Sequence, residues 1–122
     1  MCGKGVEHMP FINSKVTLPL KEEQKEIIKK ELGNAIALIP GKSETWLMVG
    51  FEDRCSLYFR GEKKEKAAFV EVKIFGKATE EAYSQLTARI CQIYETILTI
   101  PQDSIYVKYE EAEHWGWNGS NF

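Results

Sequence analysis

The sequence is poor in the residues that most often announce a function. Its two histidines (His8, His114) and three cysteines (Cys2, Cys55, Cys91) show no metal-ligand spacing. Odd and scattered, the thiols give no disulfide framework, so neither a metal site nor a stapled secreted domain is expected. No apolar run approaches the roughly 20 residues of a membrane span, and the first residues lack the apolar stretch of a signal peptide. No sign of charge dominates. Sixteen basic against eighteen acidic side chains leave a net −2, which removes the electrostatic footprint of a nucleic-acid binder. What remains is an ordinary globular balance, 43% hydrophobic and 28% charged, in 122 residues that allow one domain and not two. A reducing, cytoplasmic setting is expected, with a signal-independent route of secretion left open.

Residues 1–9 hold two glycines, a lysine, a glutamate and a histidine around Val6, with no periodicity. They are expected to be a disordered leader or cloning remnant, with Met9 as the natural start and a native extension as the alternative. A single domain is expected over residues 10–122. Phe11 to Thr17 alternates as a half-buried strand. From Lys21 to Ile39 the residues Ile28, Leu32, Ala35, Ile36 and Ile39 form a helical stripe, which Pro40-Gly41 stops. Thr45 to Phe51 is apolar on both faces and predicts a buried strand. Ser56–Phe59 and Ala68–Phe75 flank a charged loop, as in a hairpin. Thr79 can cap a second helix with the stripe Tyr83, Leu86, Ile90, Ile93, Tyr94 and Ile97. Pro101 ends it, Ile105–Tyr109 forms another strand, and the tail is aromatic and turn-rich.

The order strand, amphipathic helix, Ile-Pro, turn, strand therefore occurs twice, around Ile39-Pro40 and around Ile100-Pro101. A duplicated β-α-β unit predicts an α+β domain, a four-stranded mixed sheet with two helices on one face. The other face would carry Asn13, Lys15, Glu71, Lys73 and Lys108, too polar for a second dry core. It would face solvent in a monomer or line a water-filled centre in an assembly.

The chemistry most in evidence is at Met9-Pro10-Phe11. Trimming of Met9 would leave Pro10 as the amino terminus, with a secondary amine in place of an amide, at a rigid position. An α-amino group titrates near ~8. An apolar pocket and a neighbouring cation would lower that value and give a base that is neutral at working pH. The bland alternative is a proline that merely opens an edge strand.

Further residues weigh against that alternative. Met9-Pro10-Phe11-Ile12 opens the domain, Pro40-Gly41-Lys42 follows the first helix, and Ile74-Phe75-Gly76-Lys77 precedes the second. Asp103-Ser104-Ile105-Tyr106 opens the late strand, and Trp115-Gly116-Trp117-Asn118-Gly119-Ser120-Asn121-Phe122 closes the chain. In this order, over Pro10 to Phe122, they resemble the macrophage migration inhibitory factor family of the tautomerase superfamily. The resemblance implies a homotrimer with active sites at subunit interfaces. It also implies keto–enol tautomerase activity on phenylpyruvate and related 2-oxo acids, without metal or organic cofactor. Pro10 matches the catalytic base, and Lys42 the lysine that pairs with the substrate carboxylate. Tyr106, Trp117 and Phe122 match aromatic pocket positions. The family includes signalling members, so a cytokine-like or receptor-binding protein with a vestigial site is the alternative.

Four positions depart from the family pattern. Lys108 stands where Asn is frequent, at the rim given by the neighbouring subunit. Phe75 and Trp115 replace smaller aliphatic residues, and Trp46 occupies a place that is often Tyr; together they make a more aromatic mouth. The stretch where some members carry Cys-x-x-Cys is Ala67-Ala68-Phe69-Val70 here, so no thiol–disulfide activity is expected. Cys55 and Cys91 are expected to be packed thiols. Asn118-Gly119-Ser120 fits a glycosylation sequon but comes without a secretion signal.

Overall fold

A computed structural model describes residues 9–121; residues 1–8, all but one position of the expected leader, and Phe122 lie outside the described residues. The first strand, β1 (Pro10–Val16), buries every second residue, as the two-residue period of a pleated strand requires. Helix α1 (Glu22–Ala35) follows, with Glu22 and Glu23 in its first turn beside the positive end of the helix dipole. Its stripe of Ile28, Leu32, Ala35 and Ile36 is buried. The predicted helix ran to Ile39. Instead the last turn tightens to a 3-10 geometry over Ile36–Leu38, and Ile39 is extended because Pro40 disfavours a helical residue before it.

Two strand expectations need correction. Glu44–Trp46 forms a 3-10 turn, and only Met48–Glu52 forms the strand β2. That strand is an edge, not buried: in the sheet order β2 lies outermost, paired only to β1, and Met48 is 68% exposed. Its first residue, Met48, lines a cavity, and periodicity cannot tell that from a second covered face. The predicted hairpin is also replaced. Tyr58–Phe59 (β3) pairs with Glu62–Lys63 (β4) through a turn with Arg60 at φ 56° and Gly61 at φ 80°. Positive φ at both central residues matches the twist of a two-residue hairpin. Strand β5 (Ala68–Phe75) instead runs antiparallel to β1.

Helix α2 (Glu80–Leu98) begins as predicted, with the Thr79 side chain accepting the Ala82 N–H at 3.1 Å. It ends at Thr99, φ 54°. After a 3-10 turn at Gln102–Ser104, β6 (Ile105–Ala112) pairs parallel to β5. A terminal hairpin of β7 (Gly116–Trp117) and β8 (Ser120–Asn121) turns at Asn118 and Gly119, both at positive φ.

The fold is thus the duplicated β-α-β unit, with β1–α1–β2 and β5–α2–β6 each parallel and joined through the antiparallel β1–β5 pair. Ile12, Val70 and Val72 of the sheet pack against Leu32, Leu86 and Ile90 of the helices. Within this core the hydroxyls of Ser14 and Tyr94 hydrogen-bond to each other, so neither is left unsatisfied. On the open face the register sets Asn13, Glu71 and Lys108 in one row, and Lys73 beside Glu110 in the next. Among the described residues no helix is long and apolar enough to cross a membrane.

Candidate active site

The head of β1 lies at the floor of a cavity of about 630 Å³. Pro10 is buried there and pairs across to Ile74. Met9 precedes it at only 4% exposure and also lines the cavity. Its carbonyl accepts the Phe75 N–H at 3.1 Å, which carries the β1–β5 ladder one residue beyond Pro10. The carbonyl of the same residue, Phe75, accepts a hydrogen bond from Lys42 Nζ at 3.1 Å. Lys42 is 7% exposed, far below what a turn lysine in solvent would show. It is brought in by the turn after α1, where its own N–H bonds back to the Ile39 carbonyl. The two peptide groups of Phe75 therefore tie the buried lysine to the residue ahead of Pro10.

Aromatic rings wall the space. Trp46 and Trp117 meet edge to face, with centroids 5.3 Å apart at 87°. Phe75 and Trp115 are 6.5 Å apart and tilted. Trp46 is carried by the Glu44–Trp46 turn, which is seated on α1: Glu44 lies so close over Gly33 that a Cβ there would sit 2.8 Å from its carboxyl carbon. Trp117 is carried by the terminal hairpin. An apolar cavity with one buried cation nearby can take a molecule with a ring at one end and an anionic group at the other.

The predicted site residues do not all meet. Pro10, Trp115 and Trp117 line this cavity; Phe75 is not in the lining but meets Trp115, and Lys42 bonds to the Phe75 carbonyl. Tyr106 lies at the other end of the sheet, against Phe59 at 5.4 Å and beside an apolar cavity of about 220 Å³. Its partner Phe69 is five residues from Ile74 along β5, roughly 17 Å at about 3.3 Å per residue. Lys108 is on the open face, 3.9 Å from Glu110. Phe122 lies outside the described residues. Phe11, Thr45 and Met48 line the cavity and were not singled out from the sequence. The signal that could have found Phe11 and Met48 is their pairing across β1 and β2, which only the register reveals.

Next to Phe75, Tyr83 donates to Glu111 Oε2 at 2.6 Å, and the Ala78 N–H donates to the same oxygen at 3.3 Å. These bonds, the tyrosine's first, hold the Glu111 carboxyl below its usual range; burial and that carboxylate push the Tyr83 hydroxyl up. They pin the segment after Phe75 onto β6. Burial likewise pushes the Cys91 thiol up. No cluster of metal-binding side chains occurs among the described residues.

The profile described as macrophage migration inhibitory factor (MIF) matches residues 9–122. The chain belongs to the MIF family. Among solved structures, MIF2 of Leishmania major is 31% identical, with a TM-score of 0.88 over 94% of this chain and 98% of that one. The MIF homologue of Prochlorococcus marinus is 29% identical, with a TM-score of 0.81 over 92% and 98%. Pt0534, whose structure is that of the protein inactivated by 2-oxo-3-pentynoate, shares the fold at 16% identity and a TM-score of 0.79, covering 90% of this chain and 93% of that one. A comparison with curated proteins returns no match. MIF proteins belong to the tautomerase superfamily, and this MIF chain has their two helices and four-stranded mixed sheet.

Proposed function

We propose that the protein is a cofactor-free keto–enol tautomerase of phenylpyruvate-like 2-oxo acids, with the amine of Pro10 as general acid and base. The observation that carries this reading is the position of Met9. It is buried in the lining of the aromatic cavity directly ahead of Pro10, and its carbonyl takes up the Phe75 N–H. Removing it uncovers the Pro10 nitrogen, vacates apolar volume, and takes away the acceptor this N–H now has. Lys42, bonded to the carbonyl of the same Phe75, supplies a cation close to that nitrogen for a substrate carboxylate.

The proton shuttle balances within the substrate. Neutral Pro10 removes the proton from the enol oxygen or from the carbon next to the ketone. Lys42 holds the carboxylate and offsets the charge that develops, and the prolinium returns the proton at the other site. The aromatic wall excludes water and strengthens these electrostatic contacts. That Pt0534 is inactivated by a 2-oxo acid is in keeping with this substrate class. Members of the family generally assemble as trimers. In such an assembly Tyr106 and Lys108 would complete the site of a neighbouring chain, and Phe122 its wall.

Intact-mass analysis beside a tautomerase assay tests the reading. Chains that retain Met9 have an amide nitrogen without a basic lone pair and will be inactive; chains that begin at Pro10 will turn over phenylpyruvate. Equal activity in both preparations would overturn it.

A further inference from the structure

We infer that Glu111 is a positioning residue for this site: its carboxylate clamps the segment after Phe75 and so fixes the carbonyl that holds Lys42. The inference rests on the tautomerase reading above and deepens it. Lys42 Nζ donates to the Phe75 carbonyl at 3.1 Å, so a shift of that peptide carries the acceptor away from the ammonium. The next residue, Gly76, has φ 96°, a region glycine enters freely, so this residue sets no limit of its own on such a shift. In chains that begin at Pro10 the Phe75 N–H has also lost the Met9 carbonyl, its acceptor at 3.1 Å. More of the hold then falls to the bonds that follow Phe75.

Those bonds converge on the end of β6. The Gly76 N–H donates to the Ala112 carbonyl at 3.0 Å, and the Ala78 N–H to Glu111 Oε2 at 3.3 Å. The same oxygen accepts the Tyr83 hydroxyl at 2.6 Å, which joins the carboxylate to α2. Bonds to an ionised acceptor are roughly twice as strong as neutral ones. Tyr83 is itself fixed. Its ring lies 4.4 Å from that of Tyr109, and the Tyr109 hydroxyl donates to the Tyr83 carbonyl at 3.0 Å while accepting from Thr87 at 2.7 Å. Register places Glu111 opposite Ile74, the residue before Phe75. Each of these bonds is made within one chain, so the clamp does not depend on which residues a neighbouring subunit adds.

The test uses chains that begin at Pro10, with phenylpyruvate and its methyl ester, which offers Lys42 no carboxylate. Glu111→Ala should lower kcat/KM about fivefold for the acid and less than about twofold for the ester, since misplacing a binding group costs rate only where that group binds. Glu111→Gln keeps an oxygen that can accept both bonds and should lose no more than about twofold on the acid. In a Lys42→Ala background Glu111→Ala should cost nothing further, because residues that act through one contact are not additive. Should Glu111→Ala fail to fold, Tyr83→Phe, which removes the shorter bond alone, should lower the acid value about threefold and spare the ester. Equal loss on acid and ester, a further loss in the Lys42→Ala background, or no loss on either overturns the clamp while leaving the tautomerase intact. If wild type turns over neither compound, the tautomerase reading falls, and calorimetric binding of phenyllactate, a carboxylate that cannot tautomerise, decides the clamp. Binding about fivefold weaker in Glu111→Ala retains the clamp, and equal binding overturns it too.

Discussion

In the proposed mechanism Pro10 acts through its nitrogen, and a substitution that keeps an amine isolates what the ring adds. Pro10→Gly in a chain freed of residues 1–9 retains a terminal amine but loses the secondary amine's basicity and the fixed φ. Its kcat/KM should fall about 10²–10⁴-fold, the usual worth of a positioned base, and steady-state assays will read that loss. Undiminished activity would remove Pro10 from the chemistry. In the core the same scale applies to stability. Tyr94→Phe strands the buried Ser14 hydroxyl at a cost of about 1–3 kcal/mol, and adding Ser14→Ala should recover most of it in urea titrations. Burial raises the Tyr94 hydroxyl to about 12, against 10.0 for the free side chain. The folded state therefore holds its proton more tightly than the unfolded one. That stabilisation is complete below pH 10 and is lost as pH climbs towards 12, so alkaline unfolding should be shallower in Tyr94→Phe. The stripe showed that Tyr94 faces inward, and the alternation of β1 puts Ser14 on the buried face; that the two meet across 80 residues of chain is shown only by the fold.

Helices were legible because their signals are local. The α1 and α2 stripes and the Thr79 cap repeat at 3.6-residue spacing or sit at fixed offsets, and both helices formed there, α1 ending four residues short of Ile39 as its last turn tightened ahead of Pro40. Strand β2 was legible only over Met48–Phe51, its edge position and the β3–β4 hairpin not at all, for two physical reasons. Met48 faces a cavity that only folding creates, and the turn at Arg60-Gly61 hides in a charged run that looks like loop. Gly33 shows how one element seats another. Inside a helix Ala is worth about 1 kcal/mol over Gly, yet a Cβ at Gly33 meets the Glu44 carboxyl at 2.8 Å. That carboxyl ends a flexible side chain and can swing aside. Gly33→Ala should therefore be close to neutral in wild type and gain about 1 kcal/mol in a Glu44→Ala background, measured by chemical denaturation. A large loss in both backgrounds would show that the helix itself, not the Glu44 contact, requires glycine there.

Across the whole molecule, the residues the resemblance gathered into one pocket fall into two groups at opposite ends of the sheet. Pro10, Phe75, Trp115 and Trp117 share the head of β1, whereas Tyr106 sits roughly 17 Å away beside Phe59. The resemblance assigned only Lys108 to a neighbouring chain, and strand register within one subunit fixes only that subunit's half of the site. If the site spans two chains, Tyr106→Ala should cut activity about tenfold or more by removing a wall of the neighbour's site. Pro10→Gly trimers and Tyr106→Ala trimers should then each be nearly silent. Co-expressed, the two variants form mixed trimers in which a Tyr106→Ala chain supplies Pro10 and a Pro10→Gly chain supplies Tyr106. Head-to-tail contacts with random mixing make about a quarter of such sites wild-type, so about a quarter of full activity should return. A site contained in one chain gives no recovery, because no subunit then carries both residues. Sedimentation of the same mixture must show three-chain particles; a monomer that still regains activity on mixing would require a different assembly altogether.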